Sequence, residues 1–419
     1  MISHPILDRL ANAGIRLGLQ RMRAFLASVG DPQRKWPAVH VAGTNGKGSV
    51  CRMVAAMLEK QGYRVGVTTS PHLQDVNERI RIGAKPISDE DLDGLLRRVA
   101  EARDRWAAAE GLEGDALTYF EFTIAAAFLW FAEQGVDVGV VEVGMGGRLD
   151  ATNVLDPLVS AIVTVGLDHT DQLGPDHAAI AGEKAGILKP GVPAVIGPLN
   201  SEAMAVVRSV AAERGTPLHV FGEDFFATGS SDAFTYRRGR TEIEGLRLVL
   251  AGDHQVVNAA VALRIVELLP PELQVGELAA RDGLLAARNR GRLEWLAPDL
   301  LVDGAHNPDG ATVLGGYLAR LPRDRRRTLV LGAGTDKDVR GVGFTLAPQV
   351  DRVFTTSCAH PKARAPAEVA SQLEGLPVPV SPAGPIEEAL PLARESGDLV
   401  VVAGSLFLVG AVRDLLGIK

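Results

Sequence analysis

The chain is short of several things, and each shortage excludes something. It has only two cysteines, Cys51 and Cys358. Two thiols build neither a disulfide framework nor a cysteine-lined zinc site, so two buried, reduced thiols are expected. No apolar run approaches the roughly 20 residues of a membrane span. The longest, about residues 123–131, is interrupted by alanines and reads as a buried helix. Met1-Ile2-Ser3-His4-Pro5 has neither the basic cluster nor the apolar stretch of a leader, which makes the cytoplasm the expected location. A long basic stripe is also missing. The net charge is −7, and Arg323, Arg325, Arg326 and Arg327 form only a short cluster, read as a solvated loop. Neither nucleic acid nor a membrane is an expected partner. Repeats and low-complexity segments do not stand out.

What is present is the ordinary composition of a globular protein, 46% apolar and 23% charged, which permits a real core. A length of 419 residues suggests two or three domains. Apolar β-branched runs alternate with helical patterns. Strands are expected at 38–42, 64–69, 136–143, 159–165 and 194–196, with a helix over 47–61. Continuous apolar strands separated by helices indicate a parallel sheet covered on both faces. Residues 221–250 show short alternating runs and read as an antiparallel hairpin on the edge of the first domain. A helix over 255–269, a Pro270-Pro271 break and a further helix follow. The pattern restarts near 288–291, with strands at 300–302, 328–331, 352–355 and 399–403.

The first chemical signal is Gly43-Thr44-Asn45-Gly46-Lys47-Gly48-Ser49, after a strand and opening a helix. Glycines let backbone N–H groups turn toward phosphate oxygens, and the helix start adds its positive end. Lys47 supplies a point charge and Ser49 a hydroxyl for Mg²⁺. A plain glycine-rich turn is the alternative, but lysine, serine, strand and helix together favour nucleotide binding. The fold class is therefore α/β: a P-loop-containing N-terminal domain with a mainly parallel sheet, plus a smaller Rossmann-like C-terminal α/β domain. The boundaries are 1–288 and 289–419.

Glu142 ends a valine-rich strand followed by Gly144-Met145-Gly146-Gly147. A buried carboxylate is costly unless paired or metal-bound. Its place at the strand's C-terminal end, where α/β ligands bind, favours Mg²⁺. His169 stands at the corresponding edge of the next strand, and metal ligation is preferred over a structural role because of its neighbours. Lys184, in Gly182-Glu183-Lys184-Ala185-Gly186, would by itself be a surface lysine.

The phosphate loop resembles that of the Mur ligase superfamily, which joins amino acids to carboxylates with ATP. The segments together resemble the folylpolyglutamate synthase and dihydrofolate synthase family over nearly the whole chain. The likeness rests on Leu17-Gly18-Leu19, the phosphate loop, Thr69-Ser70-Pro71-His72-Leu73, Thr118-Tyr119-Phe120-Glu121, residues 142–153, 167–174, Glu183-Lys184-Ala185-Gly186, 303–308 and 404–410. It implies two magnesium ions held by Ser49, Ser70, Glu142, His169 and a carbamylated Lys184, which would supply the hard oxygens Mg²⁺ prefers. It implies ATP bound by Asn45, Gly46, Lys47, Gly48, Ser49, Asn258, Arg292 and Asp303, with Lys47, Lys184, Asp303 and His306 serving catalysis. It implies a pterin pocket from Leu17, Gly18, Leu19, Thr118, Tyr119, Phe120, Glu121, Leu149, Asp150 and Ala151. Core packing is the alternative for the two aromatics. Arg16 departs from the acidic residue expected there in many bifunctional relatives.

The implied substrates are dihydropteroate, tetrahydrofolate polyglutamates and L-glutamate. The implied reaction forms an acyl phosphate and ADP, then an amide. Arg148 and Leu149-Asp150-Ala151 resemble bifunctional bacterial members. The alternatives are a monofunctional folylpolyglutamate synthase, or a Mur-type ligase with another carboxylate. A peptidoglycan Mur ligase normally carries a UDP-binding domain ahead of the loop, and here the loop begins at Gly43. A kinase or nucleotide switch would need no glutamate. In the second domain, Asp303-Gly304-Ala305-His306-Asn307-Pro308 ends a strand, with an Asp turn and helix cap as the alternative. Thr335-Asp336-Lys337-Asp338 could contact glutamate, and Ser405 reads as an N-cap. A monomer is expected.

Overall fold

The computed structural model describes residues 4–10, 14, 16–112, 116–395 and 398–418. Residues 1–3, part of the stretch read as lacking a leader, lie outside them. β1 (Ala38–Ala42), β2 (Val65–Thr68), β3 (Ile80–Ile82), β4 (Lys85–Pro86), β5 (Val138–Glu142), β6 (Val159–Ile162), β7 (Ala194–Ile196) and β8 (Leu218–Val220) form one sheet in the order β4-β3-β2-β5-β1-β6-β7-β8. β3 and β4 are antiparallel at the edge, and the remaining strands run parallel. Every residue of β1, β2, β5 and β6 is buried. That explains their predominantly apolar sequences, because helices cover both faces; His40, Thr68, Glu142 and Ser160 are the buried polar residues among them. Val39 and Val41 pack toward the helices Lys47–Gln61, His254–Glu267 and Glu277–Ala286. Ala38 and Val141 pack toward Asp89–Glu110 and Tyr119–Glu133.

Residues 221–250 depart from the expected edge hairpin. β9 (Phe225–Ser230), β10 (Ala233–Arg238) and β11 (Thr241–Leu246) form a separate three-stranded sheet in the order β11-β10-β9. The stretch has two reversals, at residues 231–232 and 239–240, and two turns make three strands. Phe225, Phe234, Tyr236 and Leu246 point into the same core as the helix His254–Glu267.

The second sheet contains β12 (Glu294–Ala297), β13 (Leu300–Val302), β14 (Arg327–Leu331), β15 (Arg352–Ser357), β16 (Val380–Pro385) and β17 (Leu399–Ala403), ordered β12-β13-β17-β14-β15-β16. The sequence pattern does not announce β12 or β16. Both are edge strands with partly exposed residues, and β16 contains prolines, which edges tolerate. Arg327 also departs from the solvated loop expected of its cluster. It is fully buried, and its guanidinium donates to the carbonyls of Leu318, Leu321, Pro322 and Gln349. Cys358 is half-buried where burial was expected, while Cys51 is buried. Among the described residues, no helix is long and apolar enough to cross a membrane.

One loop of the first lobe is built into the second. Leu73, after β2, is buried among Leu300, Val302, Leu408 and Val409. Gln74 beside it accepts from Arg413 Nε at 2.8 Å and donates to Ile418 O at 2.9 Å.

Two glycines give opposite expectations for stability. A Cβ on Gly66 of β2 would meet the Phe131 ring at 2.7 Å, and overpacking of this kind costs about 1–3 kcal/mol. Gly94 lies inside the helix Asp89–Glu110 with nothing nearer than Arg98 Nη1 at 3.5 Å, so alanine gains about 0.5–1 kcal/mol of helix propensity there. Urea unfolding should therefore show a lower midpoint for Gly66→Ala and a higher one for Gly94→Ala.

Candidate active site

The phosphate loop is held by the end of the neighbouring strand. Thr44 N donates to Thr164 O and Asn45 N to Thr164 Oγ1, both at 2.9 Å. Thr44 Oγ1 donates to Gly166 O at 3.0 Å. Gly46 takes a left-handed φ of 85°, and a Cβ there would lie 2.7 Å from Asn258 Oδ1, so glycine is required. Lys47 folds its ammonium onto the loop, donating to Gly43 O at 2.8 Å and Thr44 O at 3.1 Å. Burial lowers the Lys47 pKa, and the charges of Glu142 and Asp168 oppose that shift.

Glu142 ends β5 and accepts from the backbone N–H of Ser70 at 3.1 Å. Burial pushes its carboxyl up, with Lys47 pulling the other way. Ser49 Oγ accepts from Gln255 Nε2 at 3.3 Å and Asn289 Nδ2 at 3.1 Å. His169 follows β6 with φ 52°, a sparsely populated conformation for a non-glycine residue. Burial first, then Lys337, lowers its pKa to about 4, so the imidazole is neutral at physiological pH and able to ligate. Lys184 is not the surface lysine its segment alone suggests. It is 3% exposed near the end of the helix His177–Ala185. Its ammonium has no hydrogen-bond partner among the described residues, and burial, aided by Lys47, lowers its pKa to about 7. Ser49, Ser70, Glu142, His169 and Lys184 line one cleft of about 340 Å³. Among the described residues no three His, Cys, Asp or Glu side chains group to hold a metal by themselves. The gathered donors are two hydroxyls, one carboxylate, one imidazole and a lysine.

The second lobe supplies the facing wall. Arg292, Asp303 and His306 line the cleft, as does Asn258 from the first lobe. Both Asp303 oxygens are engaged by backbone, accepting from Leu293 N and Ala305 N at 2.7 Å each. Asn307 caps the helix Pro308–Arg320 through Gly310 N at 2.8 Å. It also exchanges amide hydrogen bonds with Asn45 of the phosphate loop, at 3.2 and 3.3 Å. Ser405 makes no side-chain cap, contrary to expectation, and lines the cleft.

Asp168, Gln255 and Asn289 were not singled out from the sequence, whereas Asp336 and Lys337 were read only as a glutamate contact. Asp168 accepts from Lys337 Nζ at 2.6 Å and Asn307 Nδ2 at 3.1 Å, and pairs with His306 Nε2 at 3.2 Å. Burial alone would raise its carboxyl, but His306 and Lys337 hold it well below the usual range. Asp336 lies 3.9 Å from His169 Nδ1. The available signal was position, because Asp168 and Asp336-Lys337 both follow C-terminal ends of parallel strands. Gln255 and Asn289 gave no signal of their own.

The residues expected to bind pterin stand beside this cleft and do not line it. Thr118 and Glu121 form a capping box, with Thr118 N donating to Glu121 Oε2 at 2.8 Å. Glu121 Oε1 also accepts from Arg21 at 3.1 Å, which ties residues 16–21 to this helix start. Asp150 holds the glycine-rich loop, accepting from Met145 N and Thr152 N; Ala151 is buried beside it. Tyr119 lies under the Arg79 guanidinium at 5.4 Å. Phe120 packs against Gly144, a cleft residue where any Cβ would collide with its ring. Leu17 is half exposed; Gly18, Leu19 and Leu149 are partly buried.

Comparison with known proteins agrees with this geometry. Residues 41–266 match the Mur ligase middle domain, and residues 291–406 match the Mur ligase glutamate ligase domain. The chain is 34% identical to the dihydrofolate synthase/folylpolyglutamate synthase of Bacillus subtilis, over 96% of each chain. It superposes on the Mycobacterium tuberculosis folylpolyglutamate synthase complexed with ADP and AMPPCP with a TM-score of 0.91, 34% identity and coverage of 99% and 98%. For a bifunctional folylpolyglutamate synthase/dihydrofolate synthase solved with Mn, AMPPNP and L-glutamate, the TM-score is 0.87 at 31% identity, covering 99% of each chain. With a phosphate loop, acidic strand end and second-lobe wall gathered on one cleft, the chain belongs to the Mur ligase family, in its dihydrofolate synthase/folylpolyglutamate synthase branch, and is an ATP-dependent amino-acid ligase.

Proposed function

We propose that the enzyme phosphorylates the carboxylate of dihydropteroate, and of tetrahydrofolate (poly)glutamates, with ATP and then joins L-glutamate to the activated carbonyl. The observation that carries this reading is the convergence of Lys47, Glu142, His169 and Lys184 with His306 and Arg292 on one cleft. Both activities are proposed, in keeping with the bifunctional name of the Bacillus subtilis relative. A free carboxylate is a poor electrophile. Attack of its oxygen on the γ-phosphate releases ADP and leaves an acyl phosphate. The amine of glutamate then attacks the acyl carbon and expels phosphate.

Each anionic substrate meets a polyanionic nucleotide, so charge must be offset. Lys47, now folded on its own loop, would turn to the terminal phosphates, and Arg292 would approach them from between the lobes. Lobes 1–288 and 289–419 would close over the acyl phosphate and exclude water. Tyr119 and Phe120, beside Gly144, would wall the pterin. His306 and Asp303 would orient the reacting groups from the second lobe.

The donor set suits a hard divalent cation once Lys184 is modified. Ser49, Ser70, Glu142 and His169 would hold two magnesium ions, whose charge favours the developing phosphate anion. An ammonium at Lys184 would repel them. A buried lysine with pKa about 7 has a neutral amine near physiological pH, and only the neutral amine adds carbon dioxide. Carbamylation turns it into an anionic oxygen donor.

Two outcomes test this. Lys47→Ala and Glu142→Gln should each lower glutamate-dependent ADP release by roughly a hundredfold or more; parental turnover in either variant refutes the assignment. For Lys184, the amine is protonated below about pH 7 and free above it. Carbamate formation should therefore fall as pH drops from about 8 to about 6. Isotope-labelled bicarbonate followed by NMR should give a carbamate signal with that trend, absent in Lys184→Ala. A signal that persists in the variant, or never forms in the parent, removes the modification.

A further inference from the structure

A serine hydroxyl has one proton and two lone pairs. At Ser49 both lone pairs face amide donors, Gln255 Nε2 at 3.3 Å and Asn289 Nδ2 at 3.1 Å. The two amides differ in freedom. Gln255 is buried on the helix His254–Glu267, and its own oxygen accepts from Asn258 Nδ2 at 3.0 Å. Asn289 is half-buried in the connection from the helix Glu277–Ala286 to β12, where the chain passes between the lobes. A Cβ placed on Gly48 would lie 3.5 Å from Asn289 Nδ2 and 3.6 Å from Glu142 Oε2. The amide nitrogen and the carboxylate thus flank one glycine. A positively polarised N–H group sits beside two oxygens suited to a cation.

We propose that the Asn289 side-chain amide occupies the place on Ser49 that a divalent cation takes, so that loading metal and nucleotide unties the inter-lobe connection from the phosphate loop. The proposal rests on the reading of Ser49 as a metal contact. A hydroxyl whose lone pairs both accept N–H donors offers none to a metal, so one donor must leave. Gln255 is anchored at its far end by Asn258, whereas Asn289 belongs to the connecting segment. Before loading, that segment is tied to the loop; afterwards it is released. One hydrogen bond then links cation binding to the connecting segment.

The test uses the full-length enzyme with a non-hydrolysable ATP analogue and titrated Mg²⁺. Asn289→Ala removes the competing donor. Calorimetry should show the Mg²⁺ half-saturation lowered by about two- to tenfold, the equivalent of one neutral hydrogen bond, with analogue binding unchanged when metal is absent. Asn289→Leu, of similar size and lacking both donor and charge, should also bind Mg²⁺ more tightly, which guards against a folding defect in the alanine variant. Half-saturation that is unchanged or raised in both variants, at parental melting temperature, overturns the proposal. Ser49→Ala separates the two layers. If it leaves Mg²⁺ half-saturation unaltered, the metal assignment of Ser49 falls and this proposal with it. If it weakens Mg²⁺ while the Asn289 variants change nothing, only this proposal falls.

Discussion

The Asp168 carboxylate holds the two lobes in their present relation. It stands beyond β6 in the first lobe, while Lys337, His306 and Asn307 reach it from the second. Its side chain is 10% exposed and that of Lys337 13%, so solvent screens the pair poorly. Removing one partner of such a pair typically costs about 3–5 kcal/mol, because the other charge is left stranded. The neighbouring amide exchange between Asn45 and Asn307 ties the phosphate loop into the same junction. The loop's position is thus set from both sides, by Thr164 and Gly166 in the segment after β6 and by Asn307 across the cleft.

The cleft also holds groups without strong partners. Lys47 rests on carbonyls of its own loop, Lys184 has no hydrogen-bond partner among the described residues, and His169 is neutral. Each costs something in the free protein. Of these, Lys47 is a part-buried cation held ready for an anionic guest, and stability is given up for that readiness. His169 in a left-handed backbone fits the same pattern.

Much of the fold was legible in the sequence. The central strands are buried on both faces and are mostly apolar, so β1, β5 and β6 announced themselves. The helix Lys47–Gln61 showed its start in Gly46 and its end in Gly62. The edges were obscure for the opposite reason. β12 and β16 are half exposed, and the three strands β9 to β11 mix polar and apolar residues. Lys47, Glu142 and His169 could be read because strand ends in α/β folds carry function. The depth of Lys184 could not, since one helix segment does not reveal what packs over it. The pairings of Asp168 with Lys337 and of Asn289 with Ser49 join distant parts of the chain, and no local pattern encodes such a meeting. Thr118 and Glu121, read from the sequence only as implied pocket residues, also form the capping box of their helix.

Leu73 bears on how this architecture could be exchanged or rebuilt. It belongs by sequence to the loop after β2, yet it fills the interior of the other lobe, with Gln74 gripped by Arg413. The seam between the lobes is therefore not a single cut through the polypeptide. A chimaera joined only at the connecting segment would import a C-terminal half whose interior was shaped around a foreign leucine. Recombination among relatives should have kept this loop and its socket together as one inherited unit.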